Sequence, residues 1–424
     1  MLQAAVAVRD ITPPPGIRMW GYADRPGNAA GTLDPLYAKT LILSDGARKA
    51  AIIVLDLGRV PMPDLTARIR SRAAEHGVDE VIMAATHTHG GPAVELSDRP
   101  HVAHIAHAII EAIAEAAGNL EPVRLGRGRV DIDISHNRRV IKNGECCMLW
   151  RNAERLLTSP LDHEALLLTL ERENGEPLAH LINYACHPVV LGGDNLEYSA
   201  DWCGEMCRLI KEDTGAECLF LQGGAGDINP YLDKTPLDEG GIASMRETGT
   251  EAAKAVIPAL RSISCSPVED ATLVYHEAMV RVGTRWDFSQ PAVRQVFEDM
   301  YGDMFLPYAS VLTDDLAVPL GVLTIGSAHA FAFFPGEFFV QAQLDLKANS
   351  PVADPFFCGY ALDFHLYFPT VAAAAQGGYG GSVATYVGAG ASGTLVHEAA
   401  LTIGKQAGLL RPEPRPADFT LRDC

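Results

Sequence analysis

Apolar runs of strand length alternate with stretches of helical spacing along most of this chain, and several of the runs end alike. "DEVIMAA" leads into "ATHTHGGP" (Ala85 to Pro92), and "LAHLINYA" leads into Cys186-His187-Pro188. "ECLFLQ" leads into "GGAGDINP", which places Asp227 after Gly223-Gly224, and "AFAFF" leads into Pro335-Gly336-Glu337. A polar residue set among glycine and proline at the end of a strand is a functional position, because loops held by a rigid sheet carry chemistry. If the first strand continues through its histidines, the two-residue period puts His87 and His89 on one face.

The rest of the pattern limits the architecture. "KTLILSDGARKAAIIVLDLG" predicts a hairpin around Asp45-Gly46, and "HEALLLTLERENGEPLAHLINY" predicts another around Asn174-Gly175. Helical spacing predicts helices in "MPDLTARIRSRAAEHG", "HVAHIAHAIIEAIAEAAGN", "SADWCGEMCRLIKEDTG", "GIASMRETGTEAAKAVIPALRS" and "SGTLVHEAALTIGKQAG", and a further one after Glu337. "DPFFCGYALDFHLYFP" is expected to be a last strand. No repeat, charged linker or long polar spacer divides these elements. The expectation is one large mixed α/β domain over residues 1–424.

Composition narrows the partners. The 34 basic residues face 53 acidic ones, a net charge of −19, and there is no Lys/Arg-rich run. Nucleic acid and anionic membranes need a basic footprint and are excluded as expected partners. The nine cysteines form no CxxC pair, so reduced thiols in a cytoplasmic protein are the simplest reading. Arg9 and Asp10 interrupt the N-terminal apolar stretch where a signal peptide would continue, and no apolar run reaches membrane-spanning length.

Two neutral imidazoles and a carboxylate make a sound zinc first shell with a position left for water. Bound zinc lowers the pKa of such a water to about 7 and stabilises the oxyanion formed on a carbonyl under attack. Each candidate also has a plain structural alternative. His89 suits a hydrogen-bonding role, His187 a strand cap, Glu337 a helix N-terminus and Asp227 a turn.

Taken in order, "DITPPPG", "ATHTHGGP", "NYACHP", "GGAGDINP", "FFPGEFF" and "LYFPT" resemble the catalytic domain of the neutral/alkaline (non-lysosomal) ceramidase family, from about Ile11 to about Tyr386. The resemblance implies a zinc amidase that cleaves an N-acyl bond. It implies zinc ligands at His87, His187, Glu337 and Tyr367, with His89 contacting substrate or handling protons. It also implies that Arg138 is aimed at the substrate oxygen, with Arg139 leaving that register open. Asp201 and Asp227 are expected to orient an imidazole through its second ring nitrogen. His89 is the natural proton donor to the leaving nitrogen.

The sequence departs from the family pattern in three places. Asn229 stands where a serine has been proposed to act, which favours the metal route. Leu362 and Phe364 replace the usual Asn and first Tyr. The chain is expected to lack the additional β-sandwich domain of longer members. With no basic membrane-facing patch, a smaller or more soluble N-acyl amide is expected as substrate alongside ceramide itself, and a homo-oligomer is compatible. The competing readings are a metal-dependent ester or phosphoester hydrolase and a non-catalytic metal-stabilised binding protein. Cys186, Cys203 and Cys207 are read as small buried apolar groups, and His101, His104 and His107 as a solvated helix face. "QGGYGGS" is read as turns, with a lid as the alternative.

Overall fold

Most of the strand runs are apolar on both alternations, and the reason is visible in the packing. A computed structural model of the chain describes residues 1–302, 312 and 316–410. Its large sheet runs, edge to edge, Glu217–Gln222, Pro177–Tyr184, Glu164–Arg172, Glu121–Asp131, Gln3–Asp10, Tyr37–Ser44, Lys49–Leu55 and Glu80–Ala85; Ser266–Pro267 adds to Glu121–Asp131. Ile42, Ile53, Met83 and Phe220 face a helical layer that includes Ile105, Ile109, Trp202 and Met206. Their neighbours Leu41, Ile52, Ile82 and Leu219 face the opposite way, onto Leu323, Phe331, Phe333 and Phe356 of a second sheet. A strand buried on both faces needs a continuous apolar run.

The second sheet runs Leu273–Arg281, Ala317–Ile325, His329–Phe333 and Phe356–Cys358. Helices Val340–Asn349 and Ala391–Gln406 bury Leu346, Leu395, Ala399 and Ile403 against its outer face. The order of layers is therefore helices, sheet, sheet, helices, a mixed α/β arrangement. Both expected hairpins are present with the expected turns. The predicted helices form at Pro63–Ala74, Pro100–Gly118, Asp201–Thr214, Gly241–Ser262 and Ala391–Gln406, and the one after Glu337 at Val340–Asn349.

Most strand pairs are antiparallel. The two outer pairs of the large sheet are parallel: Lys49–Leu55 with Glu80–Ala85, and Pro177–Tyr184 with Glu217–Gln222. The sheet curls until these pairs approach. Gln222 Nε2 donates to Thr86 O at 3.3 Å, across from one edge strand to the end of the other. Residues 359–362 stitch the gap. Gly359 N donates to Gln222 O on one edge (2.9 Å), while Ala85 N donates to Tyr360 O and Leu362 N to Met83 O on the other (3.0 and 2.9 Å). The expected last strand therefore stops at Cys358, because Tyr360, Leu362 and Leu366 adopt left-handed φ of 55°, 67° and 56° that no continuous strand tolerates.

Among the described residues, no helix is long and apolar enough to cross a membrane. The eight described cysteines are free; Cys424 lies outside the described residues. Cys186, Cys203 and Cys207 are buried, as expected of small apolar groups.

Gln222 is fully buried and also serves Cys186, donating to its O at 2.8 Å and accepting from its N at 3.2 Å. A Gln222→Leu variant leaves those backbone groups without partners. We expect a loss of about 2–4 kcal/mol of stability, read from urea unfolding.

Candidate metal centre

Four of the strand-end loops meet at the same end of the stitched sheets. The first strand ends at Ala85, and His87 sits in the loop beyond it with φ 68°. The expectation that the pleat aligns His87 with His89 is thus corrected. Their Nε2 atoms still lie 3.4 Å apart, because a left-handed turn and not strand periodicity brings them together. His187 follows the Pro177–Tyr184 strand, and its N donates to Ile228 O at 3.0 Å. Glu337 reaches the same point from the second sheet, three residues before its helix begins.

The ring protons can be placed by elimination. His87 Nδ1 lies 2.6 Å from Gly58 O, and His187 Nδ1 lies 2.6 Å from Ala225 O. A carbonyl only accepts, so both Nδ1 atoms carry hydrogen and both Nε2 atoms present lone pairs when the rings are neutral. Those Nε2 atoms lie 3.4 and 3.1 Å from a single carboxylate oxygen, Glu337 Oε2. Three acceptors converging in a buried site need a proton or a cation between them. Burial holds the His187 ring down at about 4, neutral at pH 7. Burial would raise the Glu337 carboxyl, yet His87 and His187 hold it well below the usual range. Two neutral nitrogens and one carboxylate fit a divalent cation such as zinc. His87, His89 and His187 offer donor atoms that all lie within 4.8 Å of one another, the one such cluster found among the described residues. His89 Nδ1 is buried without a hydrogen-bond partner, and burial together with His87 and His187 pushes the ring well below its ordinary pKa.

Tyr367 and Glu337 are paired in a short parallel bridge. The Tyr367 hydroxyl accepts from Arg138 Nη2 at 3.0 Å. Burial and the nearby Glu337 raise this phenol well above its ordinary pKa. Arg138 also donates from Nη2 to Gly226 O (2.7 Å) and from Nη1 to Asn229 Oδ1 (3.2 Å). Arg139 turns elsewhere, donating to Gly377 O and Ala373 O at 2.9 and 3.3 Å, so of the two arginines Arg138 faces the cluster. Those bonds pin the start of the glycine-rich loop.

Asp227 and Asp201 do not meet an imidazole. Asp227 Oδ1 accepts from Val340 N and Oδ2 from Asn137 Nδ2, both at 2.8 Å. Val340 opens a helix, so Asp227 supplies the N-terminal carboxylate that was the structural alternative for Glu337. Asp201 accepts from Val190 N, Leu191 N and Trp202 N at 3.2, 3.0 and 2.7 Å. The backbone carbonyls of Gly58 and Ala225 orient the rings in their place. His101 bonds Ala93 O, while His104 and His107 are exposed, as a solvated face requires.

Sequence reasoning missed the aromatic wall. Trp20 packs edge-on to both His87 and His89 with centroids at 5.0 Å, and Tyr360 lies 4.1 Å from His87 with its buried hydroxyl unpartnered. Phe364 stacks on His87 at 6.0 Å. Single aromatic residues scattered over the chain carry no spacing signal.

This fold and site define a mixed α/β domain with a buried histidine cluster that could hold a metal ion. The family model described as "Neutral/alkaline non-lysosomal ceramidase, N-terminal" matches residues 3–235. The chain belongs to that family, whose members hydrolyse an amide bond. In fold the chain is similar to neutral ceramidase from Pseudomonas aeruginosa: TM-score 0.75 and 20% identity, over 97% of this chain and 75% of that one. A structure titled "Ceramidase complexed with C2" is similar at TM-score 0.75 and 19% identity, over 100% of this chain and 78% of the other.

The glycine-rich loop tests the geometry. A Cβ on Gly226 would lie 2.6 Å from Glu337 O and 2.9 Å from Phe338 O. Gly226→Ala must displace the Glu337 backbone. We expect affinity for a divalent cation at the cluster to fall about 10–100-fold, the range seen when a ligand's support is disturbed, measured by competition with a chromophoric chelator.

Proposed function

We propose that the chain is a zinc-dependent amidohydrolase that cleaves a linear N-acyl amide with water, with ceramide-like amides as the substrate class the family suggests. The observation that carries the reading is the convergence of His87 Nε2, His187 Nε2 and Glu337 Oε2, with both imidazoles fixed from behind through Nδ1. In this reading His87, His187 and Glu337 hold the ion, and Tyr367 is its fourth protein ligand. A zinc ion bound there supplies a Lewis acid and lowers the pKa of a water beside it.

The remaining roles fall to the side chains around that point. Arg138 brings a fixed positive charge to the Tyr367 hydroxyl, on the side where a carbonyl oxygen would gain charge. Its position is set by Asn229, the residue that stands in place of the family's serine. Asn229 accepts from Arg138 and donates to Asp233 Oδ2 at 2.7 Å, so it acts as a brace and not as a nucleophile. His89, neutral when free, sits next to His87 and is suited to take a proton from the attacking water and pass it to the leaving nitrogen. Trp20 and Phe364 make the wall beside it apolar, which favours a hydrocarbon acyl group. Asp227 contributes by holding the start of the helix after Glu337.

One donor cluster among the described residues supports hydrolysis at one metal, whereas phosphoester cleavage usually employs two. Eight free thiols support a reducing, cytoplasmic setting.

The test is a series of N-acyl amides from acetyl to long-chain, ceramides included, assayed with zinc-loaded wild type, His87→Ala and Arg138→Leu. We expect turnover by wild type, background rates for His87→Ala, and a kcat lowered about 10²–10³-fold for Arg138→Leu, the usual loss when a charge-stabilising donor is removed. Equal rates in wild type and His87→Ala would rule the reading out.

A further inference from the structure

Three cations and two aromatic rings alternate along one side of the metal centre. The Arg25 guanidinium lies 5.2 Å from the Tyr22 ring centroid, and Lys234 Nζ lies 6.0 Å from the same ring. Lys234 Nζ is also 4.6 Å from the Trp150 ring, and the Arg138 guanidinium is 5.0 Å from it. The arc is joined to the centre at both ends. The Tyr22 ring is 4.8 Å from the His89 ring, and Arg138 bonds the Tyr367 hydroxyl. Arg25 Nη2 donates to His89 O at 2.7 Å, which fixes the arc to the HTH loop.

Lys234 is the accessible member. Its side chain is 39% exposed, whereas Arg138 is buried. Its backbone takes a left-handed φ of 47°, a conformation uncommon for lysine. Its ammonium is held at 2.9 and 2.8 Å by the two oxygens of Asp233, which is itself buried and braced by Asn229. A lysine on a flexible stem is thus fixed in place over Trp150, itself 37% exposed. The aromatic faces of the arc are taken by the protein's own cations, so they do not offer a cage for a cationic ligand. Polar N–H groups at the rim of an aromatic wall fit an anion.

We infer that Lys234 selects substrates whose amine portion carries a carboxylate, so that the substrate class is N-acyl amino acids. The inference rests on the amidohydrolase reading for its direction. His89 faces the leaving nitrogen in that reading, and Tyr22, the ring beside His89, leads to Lys234. The amine side of the substrate therefore lies along the arc, and the acyl side lies against Trp20 and Phe364. Ceramide, whose amine portion is uncharged, offers Lys234 no carboxylate beyond that of Asp233.

Binding and turnover separate the two ideas. N-octanoylglycine and its neutral analogue N-octanoylglycinamide are titrated calorimetrically into zinc-loaded wild type, Lys234→Asn and Lys234→Arg, and turnover of both is followed in parallel. Asparagine accepts the left-handed φ and removes the charge; arginine keeps the charge. The expected result is a preference for the carboxylate of about tenfold in wild type, the scale of one charge-assisted hydrogen bond. The preference is expected to be retained in Lys234→Arg and to fall to about one in Lys234→Asn. That pattern supports the inference even if neither compound is cleaved, and the failure then belongs to the amidohydrolase reading. Equal binding of the two compounds in wild type overturns it. So does a carboxylate preference that survives in Lys234→Asn at unchanged zinc content, which would assign carboxylate capture to the metal.

Discussion

The four-residue seam at Gly359 to Leu362 is the interaction on which the rest depends. The outer strands of the large sheet leave unpaired backbone groups at two edges, and an exposed edge is both costly and adhesive. The seam satisfies both edges at once, and its own residues are bound back to the loop before Glu337: Tyr360 N donates to Gly336 O and Ala361 N to Phe334 O, at 3.1 and 2.9 Å. One short segment therefore sets the distance between His87 beyond one edge strand, His187 beyond the strand beside the other edge, and the loop after the second sheet that leads to Glu337. The left-handed residues that end the strand are what let the segment turn between its partners.

This arrangement explains why the donors are rigid before any ion is present. The imidazoles are held by carbonyls of two loops, Gly58 and Ala225, and the backbone that carries the carboxylate is held by Gly226 N donating to Phe338 O and by the helix start that Asp227 anchors. Bringing two nitrogen lone pairs against a carboxylate oxygen is unfavourable in a low-dielectric interior. The fold keeps them there because hydrogen bonds behind both imidazoles and a packed aromatic wall resist relaxation. A cation turns that repulsion into attraction, so metal binding and local stability are linked.

Much of the fold was legible in the sequence, for physical reasons. Runs such as "AAIIVL" and "ALLLTL" reveal strands buried on both faces, and the Asp45-Gly46 and Asn174-Gly175 turns mark hairpins. The glycine and proline breaks located all four loops that approach the centre. Other features were hidden. The strand Glu121–Asp131 is rich in Arg and Gly and has no apolar run to betray it. The seam reads as a strand because left-handed φ at Tyr360 and Leu362 has no signature in those residue types. Carboxylates are promiscuous acceptors, so nothing local told Asp227, which caps a helix, from Glu337, which faces histidines.

Crystals of the zinc-loaded protein, with anomalous scattering measured on both sides of the zinc absorption edge, test the central claim most directly. The account predicts one strong peak per chain, about 2.0–2.1 Å from both His87 Nε2 and His187 Nε2 and within bonding distance of Glu337. A peak at another place, or none at full zinc loading, would contradict it.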